Sequence, residues 1–262
     1  MKKYTLKGLS ILNLLGFFGI VLINYLAVTL PLNNKTTGAL ADQYPNLFVP
    51  VGLTFSIWGI IYLLLGIFIV YQLVYAFKKD TQNSSFLEKI GILFFVSCLA
   101  NFTWIFAWHF EMVPLSLFIM LILLISLIVI YQKLNIGQSE VSKSEKYLVH
   151  LPFSVYLGWI TIATIANTTA LLVDLNWNRF GLSETFWTIT VIIIGILSAL
   201  FVLFYRKDIF YCLVVDWALL GILIKRLTVD IVPMQSIIMV VSLGLVMISL
   251  GIIIQITRKK VY

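Results

Sequence analysis

Charged residues are scarce in this chain. Asp, Glu, Lys and Arg make up 11% of its 262 residues, whereas soluble globular domains carry roughly 25%. The scarcity excludes an ordinary soluble domain of this length. Cysteine and histidine are rarer still, with two residues of each type. Cys98 and Cys212 both fall within apolar runs, which indicates buried thiols instead of a disulfide framework or a metal site.

Motifs for catalysis and for nucleic-acid binding are also missing. The sequence contains no phosphate-binding loop, no nucleophile elbow and no zinc-binding helix motif, so we expect no enzyme activity. The net charge of +7 comes from basic residues dispersed over loops, without the clustered stripe that binds nucleic acid. We therefore expect no nucleic-acid partner.

Long apolar runs dominate what is present. Hydrophobic residues make up 61% of the chain, and runs such as Leu115 to Ile130 are apolar on every side, which is typical of a membrane helix. A membrane β-strand would instead alternate over about ten residues. The sequence therefore predicts an all-α, polytopic transmembrane bundle with about eight spans. These are residues 9–30, 53–77, 89–110, 112–132, 148–173, 186–205, 209–224 and 235–256.

The distribution of Lys and Arg predicts the orientation. With the amino terminus inside, fourteen of the eighteen basic residues are cytoplasmic, and Lys35, Arg179, Lys225 and Arg226 are outside. Cytoplasmic loops collect basic residues, so we predict both termini in the cytoplasm and a multi-pass protein of the cytoplasmic membrane. Removing the short seventh span would place residues 258–260 outside, which favours eight spans. Anionic inner-leaflet lipid is the expected membrane partner.

Helical spacing groups aromatic and polar residues on three of the predicted spans. Residues three or four apart share a helix face. The three sets are Trp58, Tyr62 and Gly66; Asn101, Trp104 and Trp108; and Trp159, Ala163 and Asn167. Two interpretations stay open: the faces line one cavity, or the small residues, amides and rings only pack helices together.

Three segments resemble one family in register. They are Pro50-Val51-Gly52-Leu53-Thr54-Phe55-Ser56-Ile57-Trp58-Gly59-Ile60-Ile61-Tyr62, Asn101-Phe102-Thr103-Trp104, and Tyr156-Leu157-Gly158-Trp159 continuing to Asn167. They are similar to the second, third and fifth helix motifs of the tryptophan-rich sensory protein or translocator protein (TspO/MBR) family. The chain departs from the pattern at Val49 and Val155, where the family has proline. Its fifth span also lacks the Tyr and the basic residue of the proposed cholesterol motif.

The resemblance implies a five-helix core over residues 1–176 and a three-helix transmembrane extension over residues 177–262. It also implies a hydrophobic small ligand of the porphyrin or haem type, bound for sensing or translocation inside the bundle. The ligand-binding residues implied are Trp58, Tyr62, Asn101, Trp104, Trp159 and Asn167. An apolar cavity with aromatic walls and a few polar groups suits a large planar molecule.

Asp216 lies outside this scheme, in the seventh predicted span. A carboxylate inside a membrane is costly and indicates an ion or substrate path, although a protonated carboxyl bonded to a neighbouring helix is equally compatible. Two alternative functions therefore remain, a secondary transporter that uses Asp216 and a non-catalytic subunit of a membrane complex. A homodimer is left open as a further partner.

Overall fold

A computed structural model describes residues 3–30, 32–78, 85–229 and 234–258. All regular elements in these ranges are helical, and none is a strand, so the predicted all-α fold is confirmed. Four of the basic residues that predict the orientation lie outside the described residues. These are Lys2, Lys79, Lys259 and Lys260.

Eight long helices occupy the positions of the eight predicted spans. They are α1 (Lys3–Thr29), α2 (Ile57–Phe77), α3 (Leu93–His109), α4 (Val113–Leu134), α5 (Leu151–Asp174), α6 (Glu184–Phe201), α7 (Ile209–Thr228) and α8 (Gln235–Thr257). Short helical segments connect them: Leu32–Asn34, Thr37–Ala41, Gly52–Ser56, Ser85–Ile90, Lys143–Glu145, Lys146–His150, Arg179–Gly181 and Val202–Arg206.

Six of these helices, with adjoining turns, are long and apolar enough to cross a membrane. They are Leu6–Thr29, Gly52–Phe77, Val113–Leu134, Lys143–Asp174, Glu184–Arg206 and Gln235–Thr257. α3 is apolar but shorter, and α7 is not among the six because it carries Asp216, Lys225 and Arg226. The polytopic membrane bundle is thus confirmed, while eight spans and cytoplasmic termini stay predictions.

Local sequence determines where several helices begin and end. Pro114 stands in the first turn of α4, where its missing N–H costs nothing, and Asn135 ends that helix with a left-handed φ of 54°. The Ser183 hydroxyl accepts from the Phe186 N–H at the start of α6. At the start of α7, the Asp208 carboxylate accepts from the N–H groups of residues 210 and 211. These are the side chains expected to cap exposed backbone N–H groups.

The chain divides into two compact units, and the first comprises residues 1–37 and 58–157. Within it, α1 and α4 both pack against α3. Gly16 allows the close approach of α1, because a Cβ there would lie 3.0 Å from Cys98 Cβ. Cys98 is buried with a free thiol, as predicted.

The second unit comprises residues 38–57 and 158–262. Within it, α8 packs against both α6 and α7, and glycines permit these contacts. A Cβ on Gly244 would lie 2.4 Å from Ile196 Cδ1, and one on Gly251 would lie 2.6 Å from Leu203 Cδ2. These units do not divide at residue 176, and the predicted division into a core and an extension stays a prediction.

Candidate functional site

Trp58 and Tyr62 form a stacked pair on α2. Their ring centroids are 5.5 Å apart and the ring planes differ by 17°, which the four-residue spacing makes possible. The ring of Tyr156, on α5, meets the edge of this pair, 6.2 Å from Trp58. Trp58 and Tyr62 are partly exposed, whereas Tyr156 is fully buried. The pair therefore presents a flat aromatic surface backed by a buried ring.

Asn101 links this aromatic group to α1. Its side-chain oxygen accepts a hydrogen bond of 3.0 Å from the Asn24 amide, and its own amide donates to the Tyr156 hydroxyl at 2.9 Å. Asn101 is fully buried. Burying an amide without such partners would cost about 1–3 kcal/mol. We call Asn24, Trp58, Tyr62, Asn101 and Tyr156 the Asn101 cluster.

The two tyrosine hydroxyls of the Asn101 cluster differ in their hydrogen bonding. The Tyr62 hydroxyl is buried beside the Asn101 amide and makes no hydrogen bond of standard geometry within the described chain. The Tyr156 hydroxyl accepts from Asn101, which leaves its own proton available to donate. A molecule with acceptor oxygens would satisfy both groups.

A second set of polar contacts involves Asn13, which lies on the same face of α1 as Asn24. The Asn13 amide donates to Gln72 at 3.0 Å, and Gln72 donates to the Ser10 carbonyl at 3.3 Å; all three residues are fully buried. Asn13 and Asn24 are eleven residues apart, which is about three helical turns. Asn13 and Asn24 therefore both orient α1 towards the interior of the first unit.

Trp104 lies further along α3, against Trp108. The two rings are stacked with centroids 5.8 Å apart and an interplanar angle of 13°. The Trp108 indole donates to the Thr37 carbonyl at 3.3 Å. Trp104 is thus stacked on a ring that is itself hydrogen-bonded to Thr37.

Trp159 and Asn167 belong to the second unit. Trp159 is 2% exposed, and Phe55 meets it edge to face with centroids 5.9 Å apart. Asn167 is also buried. Of the six predicted ligand-binding residues, the structure therefore groups Trp58, Tyr62 and Asn101 in one cluster. The participation of all six in a ligand site stays a prediction.

Asp216, in the second unit, has a hydrogen-bond partner for one of its two carboxylate oxygens. One carboxylate oxygen accepts from the Ser249 hydroxyl at 3.0 Å, across the packed helices α7 and α8. The other oxygen is buried and has no hydrogen-bond partner among the described residues. The neighbouring Trp217 donates its indole N–H to the Thr54 carbonyl at 2.9 Å.

Three features were not predicted from sequence. Asn24 is a functional candidate whose only signal was an amide in an apolar span, and Tyr156 was part of the resembling motif without being assigned to the site. A cavity of about 370 Å³ in the second unit, lined in part by Trp177 and Trp187, had no sequence signal. Within the described ranges, no group of three His, Cys, Asp or Glu side chains could hold a metal ion.

Comparison with protein families gives a match over most of the chain. The family model described as TSPO-like protein matches residues 10–254, which is nearly the whole chain. No curated protein and no solved structure matches the chain significantly.

Proposed function

The chain belongs to the TSPO-like protein family, and on that premise we propose that it binds a flat hydrophobic ligand of the tetrapyrrole type in the Asn101 cluster. It is a multi-pass integral membrane protein of this family, with apolar helices along its length. We propose the cytoplasmic membrane as its location, because basic residues are concentrated on one predicted side. A membrane-embedded ligand would act as a sensory signal or as cargo.

The observation that carries the proposal is the combination of a flat aromatic surface with the unpartnered Tyr62 hydroxyl. The Trp58 and Tyr62 rings are nearly parallel and partly exposed, so a planar molecule can stack on them. The Tyr62 hydroxyl has no hydrogen-bond partner among the described residues, while the Tyr156 hydroxyl accepts from Asn101, which also holds the cluster together through Asn24. Carboxylate or carbonyl oxygens on the ligand would accept from the two hydroxyls.

We expect the stacking surface and the Tyr62 hydroxyl to contribute separately to ligand affinity. Trp58→Ala removes the stacking surface, and aromatic pairs contribute about 0.5–1.5 kcal/mol beyond the area they bury. We expect affinity to fall about tenfold, which corresponds to about 1.4 kcal/mol. Tyr62→Phe removes a hydroxyl that makes no well-formed hydrogen bond, so thermal stability should hold while affinity for an acidic porphyrin falls.

The experiment is a titration of purified full-length protein in detergent with protoporphyrin, followed by the absorption band of the porphyrin. Trp217→Phe is the matched control, because it removes an indole of the second unit and leaves the Asn101 cluster intact. Saturable binding weakened by both cluster substitutions supports the proposal. Absence of saturable binding, or equal affinity in Trp58→Ala, Tyr62→Phe and Trp217→Phe, would refute it. Trp159→Phe tests the predicted participation of Trp159 in the same titration.

A second candidate is a secondary transporter. Asp216 favours it, because one carboxylate oxygen is buried without a partner and intramembrane carboxylates often carry protons or ions. Ligand binding at the Asn101 cluster and transport are compatible, since a transporter must also bind its cargo.

A further inference from the structure

The 370 Å³ cavity lies at the end of α5, the start of α6 and the segment between them. Its volume falls within the roughly 300–1,000 Å³ typical of small-molecule sites. Trp177 and Trp187 line one part of it, and Leu172, Val173 and Val191 supply apolar walls. None of the residues assigned to the Asn101 cluster lines this cavity, so it is a separate site.

The two indoles are held rigidly. Their centroids are 4.9 Å apart with an interplanar angle of 61°, and the Trp187 N–H donates to the Arg179 carbonyl at 2.9 Å. Phe180 meets Trp177 edge to face at 5.2 Å, and Phe186 meets Trp187 in the same way at 5.6 Å. The geometry of the aromatic wall is therefore set before any ligand binds, which lowers the entropic cost of binding.

An incompletely formed ion pair shares the cavity with the indoles. Arg179 Nη2 lies 3.7 Å from Glu184 Oε2, beyond ordinary hydrogen-bond length. Both side chains are considerably exposed, at 46% and 37%, so their mutual attraction contributes little stability. Each charged group keeps hydrogen-bonding capacity for a molecule that enters the cavity.

We infer that this cavity binds a zwitterion, with its anionic group on Arg179 and its ammonium group on Glu184 and the two indole rings. Indole faces attract ammonium and quaternary ammonium groups, and a guanidinium pairs with a phosphate or carboxylate through two hydrogen bonds. A molecule of one charge sign would meet one attractive and one repulsive group. The zwitterion therefore matches the pair of opposite charges.

Two sources supply this chemistry, a lipid headgroup and a soluble zwitterion. The apolar residues beside the ion pair suit an attached hydrocarbon segment, and the predicted orientation places Arg179 at the outer membrane surface. The hydroxyl of Thr169 donates to the Ala166 carbonyl, which leaves its oxygen as an additional acceptor at the cavity wall. The shared requirement is an ammonium group near a phosphate or carboxylate.

The first experiment measures binding of phosphocholine to the full-length protein in an uncharged maltoside detergent by calorimetry. We expect saturable binding that weakens about tenfold or more in Arg179→Gln and in Glu184→Gln. Lys35→Gln is the matched control, because Lys35 also forms an exposed ion pair, with Glu111, in the other unit. Melting temperatures verify that each variant folds.

The second experiment separates the two sources. The protein is reconstituted in nanodiscs of phosphatidylcholine or of anionic phosphatidylglycerol, extracted gently, and its retained lipid is counted by mass spectrometry. Retention of phosphatidylcholine that is lost in Arg179→Gln identifies a headgroup, and phosphocholine binding without retained lipid identifies a soluble zwitterion. No binding in either experiment, or equal binding in Arg179→Gln, Glu184→Gln and Lys35→Gln, would overturn the inference.

Discussion

His109 Nδ1 lies 3.0 Å from the carbonyl oxygen of Leu32, and this contact determines the tautomer of the ring. A carbonyl can only accept, so Nδ1 carries the proton, and Nε2 accepts from the Thr37 hydroxyl at 3.1 Å. The Asn33 amide adds a hydrogen bond of 2.9 Å to the His109 carbonyl. His109 is fully buried. These three hydrogen bonds therefore attach residues 32–37 to the end of α3.

Replacing His109 should release this segment. His109→Ala leaves the Leu32 carbonyl and the Thr37 hydroxyl without their partner, and an unsatisfied buried polar group costs about 1–3 kcal/mol. We expect a lower melting temperature and faster amide hydrogen exchange over residues 32–37. His109→Asn should preserve part of the protection, because its amide can still donate to Leu32.

Lys35→Ala is the matched control for the release of residues 32–37. It removes an exposed ion pair with Glu111, and such pairs contribute about 0–1 kcal/mol. Exchange over residues 32–37 that is as slow in His109→Ala as in the unmodified protein would contradict the proposed role of the ring.

Sequence periodicity predicted contacts within a helix better than contacts between helices. The spacing of Trp58 and Tyr62 predicted a shared face, and the rings stack. The spacing of Asn101 and Trp104 also predicted a shared face. It could not identify Asn24 as the partner of Asn101, because those residues are 77 positions apart and only the packing of α1 on α3 brings them together.

Burial of single polar residues was equally difficult to predict. His109 is an example, because one sequence contains no signal that residues 32–37 cover its ring. The same limit applies to the 370 Å³ cavity, because residues of α5, of α6 and of the distant positions 45 and 46 line it together only in the folded chain. Helix positions, by contrast, follow from composition and length alone, since lipid leaves the backbone few alternatives.

Position 229 tests whether α7 crosses the membrane. α7 has 20 residues, or about 30 Å at 1.5 Å per residue, which equals a typical hydrocarbon core. Lys225, near its end, forms an ion pair with Asp42, a residue of the predicted outer loop. We therefore expect Val229→Cys to react with a membrane-impermeant maleimide applied to intact cells.

The matched control for position 229 is Glu140→Cys, in the predicted cytoplasmic loop between α4 and α5, which should react only after permeabilisation. Both residues are exposed, and the native Cys98 and Cys212 are buried, so background labelling should be low. Labelling of both positions only after permeabilisation would show that α7 does not cross, and the eight-span topology would then be wrong.

Gly221 on α7 should not tolerate a methyl group. A Cβ there would lie 2.0 Å from Thr54 Oγ1 and 3.0 Å from Pro50 Cβ, while the Gly221 carbonyl accepts from the Val51 N–H at 3.1 Å. Overpacking of this kind costs about 1–3 kcal/mol. We expect Gly221→Ala to lower the melting temperature in detergent.

Two further variants complete the Gly221 test. In Gly59→Ala, the added Cβ meets nothing within 4 Å, so stability should be unchanged or slightly higher. Thr54→Ala combined with Gly221→Ala removes the clashing Thr54 atoms but keeps Pro50, and should recover part of the loss, as expected for neighbouring residues that couple. A double variant no more stable than Gly221→Ala would show that the Thr54 contact is not the cause.

Asp216→Asn distinguishes a proton-carrying carboxyl from a structural one. An asparagine oxygen can still accept from Ser249, so the contact between α7 and α8 should persist, whereas the side chain can no longer bind and release a proton. If the transporter candidate is correct, liposomes containing this variant should lose proton flux in the presence of protoporphyrin, measured with a trapped pH-sensitive dye.

Ser249→Ala is the control for Asp216→Asn, because it removes the same hydrogen bond and preserves the carboxyl. Flux that persists in Asp216→Asn would assign Asp216 a packing role, and equal loss in both variants would attribute the effect to the helix contact.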